Sequence, residues 1–82
     1  MSLITANIIP GKEGKVFGTN AMEETDLIEI KKHLLTLDGI KDIQLNLDVF
    51  PKEFTVFTTK LLPITTIEHK VKTVGFHAIP KE

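Results

Sequence analysis

Cysteine is absent from the 82 residues, which excludes a disulfide, a thiolate nucleophile, an iron–sulfur cluster and a zinc ribbon. Arginine is absent as well, all ten basic residues being lysines. Without a guanidinium there is no bidentate grip on phosphate or carboxylate, which weighs against a phosphate-handling enzyme. The net charge is −1, so no field draws the chain onto nucleic acid or an anionic membrane. No apolar run approaches the ~20 residues of a membrane span. The opening Met1–Ile9 has no basic leader and is too short for a secretory signal, so a cytoplasmic protein is expected.

What is present suits one small domain held together by packing alone. The length is near the lower end of what folds without staples, and the 41% apolar content is enough for a single core. The expected organisation is one domain over 1–82, with a core at about 15–79 and residues 1–14 as an N-terminal extension. Within that extension Leu3–Ile9 reads as extended, and Pro10-Gly11 signals a turn.

Lys15–Thr19 reads as a short strand, with Val16 and Phe17 its strand-prone residues. Leu27, Ile30, Leu34 and Leu37 then recur at spacings of three and four, the pattern of one helix face. Acids Glu23, Glu24 and Asp26 precede Lys31, Lys32 and His33, as the helix dipole favours. Asp26 and Glu29 have the spacing of a capping pair, and Asp38-Gly39 ends the helix. Ile43, Leu45 and Leu47 alternate with Gln44, Asn46 and Asp48, a half-buried strand. A turn at 49–52 leads to a second strand over 53–59, with Phe54 and Val56 on one face and Phe57 on the other. Pro63 opens a second helix with the stripe Ile64, Ile67, Val71 and Val74, capped by Thr65-Thr66-Ile67-Glu68 and stopped by Gly75. Phe76–Ile79 is a last short strand. The order β-α-β-β-α-β predicts an α+β, ferredoxin-like sandwich, with two helices on one face of a four-stranded antiparallel sheet.

Four segments in that order resemble the heavy-metal-associated (HMA) domains of copper chaperones and metal-transporting P-type ATPases. They are Phe17-Gly18-Thr19-Asn20, Leu34-Leu35-Thr36-Leu37-Asp38-Gly39-Ile40, Ile43-Gln44-Leu45-Asn46-Leu47 and Gly75-Phe76-His77-Ala78. The resemblance runs from about Lys15 to Ile79 and implies the ferredoxin-like fold. It also implies a C-x-x-C metal loop, whose cysteines would fall at Glu23 and Asp26. This chain is thus similar to a member of that family without its metal site. Soft thiolates suit Cu(I), whereas two carboxylates are hard ligands and too few for Mg²⁺, Ca²⁺ or Mn²⁺. Neither Cu(I) nor any cofactor is expected.

Glu23, Glu24 and Asp26 are read first as acids serving the helix dipole. One alternative makes Glu23 and Asp26 a retuned divalent-metal or small-ligand site, with Met22 or a histidine as a further ligand. Another makes the acids a docking patch for a lysine-bearing partner. His33, His69 and His77 include no i, i+4 pair, which leaves a helical zinc site unsupported. Phe76 occupies the place where the family keeps an aromatic beside the metal loop, and with Met22 it is expected to pack and shape that loop.

Ile28 and Leu35 lie about 80–100° round from the centre of the first helix stripe. This flank is expected to pack under the second helix. Exposed, it forms an apolar strip beside Glu24 suited to a protein partner or a homodimer. An RNA-recognition reading fails because Phe54 and Phe57 point to opposite faces, and an acylphosphatase-like reading fails for want of an arginine. No nucleophile–base set converges in the sequence, so the expected function is a non-enzymatic protein-interaction or regulatory module.

Overall fold

The computed structural model describes the backbone of residues 8–9 and all of residues 14–81. Eight elements follow one another: β1 (Ile8–Ile9), β2 (Lys15–Thr19), α1 (Glu24–Leu34), β3 (Ile40–Asn46), β4 (Glu53–Thr58), β5 (Leu62–Pro63), α2 (Ile64–Val74) and β6 (Ala78–Pro80). The main sheet has the order β3-β4-β2-β6, each neighbour antiparallel to the next. The described residues are therefore α+β, with two helices and a four-stranded antiparallel sheet, compatible with a ferredoxin-like arrangement. The element order departs from plain β-α-β-β-α-β. Strands β1 and β5 pair with each other, Ile8 with Pro63 and Ile9 with Leu62, outside the main sheet. That pairing is made between distant segments, so no local pattern announces it. The extended reading of residues 3–7 and the turn at Pro10-Gly11 lie outside the described residues.

Alternation in the strands decides which face is buried. Phe17, Ile43, Phe54 and Val56 point to one side, where they meet Leu27, Ile30 and Leu34 of α1 and Ile64, Ile67 and Val71 of α2 in a single cluster. The opposite face carries Asp42, Gln44 and Asn46 of β3 in solvent, with Glu53, Thr55 and Phe57 of β4 half-covered. α1 packs against α2 and β3, while α2 packs also against β6. Each helix thus lies toward one margin of the sheet.

The helix ends differ from the capping signals in the sequence. α1 starts with Glu23 as N-cap and α2 with Pro63, and neither makes a side-chain cap bond. Asp26 and Thr65 consequently lie inside their helices rather than at the caps. α1 stops at Leu34, several residues before Gly39, and unwinds through the short-range bonds Thr36 N to His33 O and Leu37 N to Leu34 O. α2 ends as expected. Gly75 is left-handed at φ 102°, and its N–H and that of Phe76 donate to Lys72 O and Val71 O, a Schellman closure.

Candidate functional site

The end of the sheet that would hold a metal loop is built from three connections. Thr19 N–H donates to Lys52 O at 3.0 Å, joining the close of β2 to the β3–β4 hairpin. Ala21, buried, donates its N–H to Thr19 Oγ1 at 3.3 Å. Asn20 Oδ1 accepts the His77 N–H at 2.8 Å, tying the segment before α1 to the segment after α2. Sequence reading had given Asn20 no role of its own. A short polar residue flanked by a strand and a small residue is a weak signal for such a clasp.

Glu23 sits at the N-cap of α1, its carbonyl accepting from Asp26 N (3.0 Å) and Leu27 N (3.2 Å). Its side chain is exposed and Asp26 is half-buried. Among the described residues no group of three or more His, Asp or Glu is placed to hold a metal ion. His33 is engaged on its own helix, its Nδ1 lying 2.9 Å from Glu29 O and 3.5 Å from Glu29 Oε1. His77 is exposed at this end and His69 lines a shallow groove with Leu37, Thr66, Lys70 and Thr73. Phe76 is half-buried against the core, while Met22 is 62% exposed and projects into solvent. The two residues expected to shape the loop are therefore split, one packing and one free.

On the flank of α1 the structure corrects the expectation that Ile28 and Leu35 pack under the second helix. Ile28 and Leu35 are 42% and 43% exposed; they do not pack under α2. The reason is where α1 sits. One of its flanks meets α2, and the other overhangs β3, the last strand of the main sheet. Asp26 and His33 are half-buried on the flank toward α2, and Leu37, in the turn after α1, shares a groove with α2 residues. Ile28 and Leu35, with Glu24, turn the other way, as a right-handed β2-α1-β3 crossover requires.

A second surface escaped the sequence altogether. Gly18, Thr19, Asn20, Pro51, Ile79 and Lys81 line a shallow groove of about 250 Å³ on the open sheet face. Ile79 is exposed there and Phe50 stands out from the neighbouring hairpin. Lys81 is held across the face by Glu53, Nζ to Oε2 2.6 Å. A glycine within a strand is the one signal that could have pointed to the groove. One carboxyl elsewhere is perturbed: the hydrogen bond and charge of Lys60, 2.6 Å away, hold Asp38 below the usual carboxylate range. No helix among the described residues is long and apolar enough to cross a membrane. No protein-family profile, no curated protein and no solved structure matches the chain.

Proposed function

We propose that this chain is a cysteine-less module of the heavy-metal-associated type, ferredoxin-like in fold, which works by contact with a protein rather than by catalysis or thiolate metal exchange. The observation that carries this reading is the exposure of Ile28 and Leu35 on the free flank of α1 beside Glu24. Apolar side chains left partly in water on the side away from the neighbouring helix contribute only part of the stabilisation that full burial would bring. Side by side on one flank, they suit an encounter with another surface. The strand order β3-β4-β2-β6 with both helices on one face supports the ferredoxin-like assignment. Glu23 at the N-cap and Asp26 in the first turn stand where that family's resemblance puts its thiolates. Their acids complement the positive end of the helix dipole, a role that needs no ion.

Photo-crosslinking tests this function. A benzoylphenylalanine replacing Leu35, irradiated in the native cell, is expected to give discrete adducts. The same group replacing the exposed Lys72 on α2 is expected to give none. Equal or absent adducts from the two positions would overturn the contact reading.

A further inference from the structure

The hydrogen-bond parity of the main sheet shows which groups of β3 face outward. Thr19 and Lys52 are a hydrogen-bonded pair, so Phe17/Phe54 and Lys15/Val56, two residues further each time, exchange the β2–β4 bonds. Glu53, Thr55 and Phe57 accordingly turn their amides toward Asn46, Gln44 and Asp42 of β3. The amides and carbonyls of Ile43 and Leu45 then point away from the sheet, where no further strand lies among the described residues. One of these outward groups is covered from within. Asp42 Oδ1 accepts the Ile43 N–H at 2.8 Å, beside the register shift at Ile40/Asp42. A charged side chain over a bulge is a way of guarding a sheet edge against unwanted pairing.

We infer that this guarded edge, together with the α1 flank above it, is an interface between two copies of the chain. The inference rests on the contact-module reading and names its partner. A two-fold axis through Gln44, perpendicular to the sheet, sets Ile43 opposite Leu45 of the second copy, so that the outward amides and carbonyls of both strands satisfy one another. On the open face the same operation sets Gln44 against Gln44 and Asp42 against Asn46. Amide meets amide, carboxylate meets amide, and no like charges face each other. A shift toward the hairpin would set Asp42 against Asp48, and a shift the other way would bring in the irregular Lys41.

Pairing also gives the guard a new partner. Once the Leu45 carbonyl of the second copy takes the Ile43 amide, Asp42 is released next to Asn46 of that copy, whose side-chain amide donates to it. Both copies keep their helices on the same face, and the flanks bearing Ile28 and Leu35 converge over the axis. The strip alone is small against the ~800 Å² per partner of a stable interface. Strand pairing therefore has to supply the rest, and the dimer is weak and reversible.

Sedimentation equilibrium of the full chain up to about 1 mM is the test. The wild type is expected to approach twice the mass of the chain. Gln44→Lys and Gln44→Glu, both at an exposed position, are each expected to weaken association by roughly tenfold, because like charges meet at the axis. An equal mixture of the two should recover it. Leu45→Pro removes an outward amide together with a half-buried side chain, and is expected to abolish pairing in a chain that still unfolds cooperatively. A single-chain mass at the highest concentration, or undiminished dimers of both Gln44 variants, would overturn the inference. In that case a crosslink from position 35 to a different protein would leave the contact reading standing, whereas no crosslink would remove both.

Discussion

Phe17 and Phe54 are direct cross-strand partners, and their rings stack with centroids 5.4 Å apart and planes 12° from parallel. Both are wholly buried, so this pair joins the two central strands at the point where the helices rest on the sheet. Phe54→Ala is expected to cost about 3–5 kcal/mol, through lost burial and the cavity left behind. For a domain of this size that is a large share of the total stability. Urea unfolding of the purified variant measures it.

Gly39 closes the turn between α1 and β3 at φ 96°, and a methyl group there would come within 2.8 Å of Lys60 Cε. Lysine can swing aside, so the backbone conformation sets most of the penalty. Gly39→Ala is expected to lose about 1–2 kcal/mol, read as a lower thermal midpoint with an unchanged far-ultraviolet spectrum.

Asp38 and Lys60 supply a pH dependence. Because Lys60 lowers the Asp38 pKa in the folded protein, the pair's contribution is present above the unfolded carboxyl's pKa. It is lost as pH falls through the folded value. The contribution is small, since both side chains are largely in water. Lys60→Met is expected to move the Asp38 carboxyl titration, followed by carbon NMR, up to the ordinary carboxylate range, and to flatten this part of the acid limb of the stability curve. An unmoved titration would mean that the ion pair does not persist in solution.

The proposed resemblance to metal-binding modules has its own experiment. Glu23 and Asp26 lie three residues apart across the first turn of α1, where the positive end of the helix lowers a thiol's pKa. Glu23→Cys/Asp26→Cys is expected to take up Cu(I), detected by thiolate-to-metal absorption and by displacement from a competing chelator. A folded double variant without affinity for Cu(I) would separate this loop from the family it resembles.

Much of the fold was legible because it is local. The spacing of Leu27, Ile30 and Leu34, the alternation of Ile43 and Leu45 with Gln44 and Asn46, and Gly75 after an apolar stripe each depend on residues within a few positions of one another. The helix starts lie close to where the sequence puts them, but the capping residues differ. Asp26/Glu29 and Thr65–Glu68 have capping spacing, but α1 begins at Glu24 and α2 at Ile64, so the caps fall on Glu23 and Pro63.

Long-range placement was not legible. Periodicity puts Ile28 and Leu35 on a flank of α1 without saying whether that flank meets α2 or overhangs the sheet edge. The pairing of β1 with β5, the Asn20–His77 clasp and the outward amide of Ile43 under Asp42 all depend on segments that meet only in the folded chain. For the candidate site, the sequence supplied the residues of the helix start and flank. The structure supplied which of them remain available.

The most direct measurement is a residue-resolved amide NMR series, recorded on the free protein across protein concentration and then with Cu(I), Zn²⁺, Mn²⁺ and Ca²⁺. A contact module that pairs with itself should shift Ile28, Leu35, Ile43 and Leu45 as concentration rises, and should leave Met22–Asp26 unmoved by any ion. Saturable shifts or paramagnetic broadening centred on Met22–Asp26 and Phe76, with a silent α1 flank, would contradict it and make this a retuned metal site.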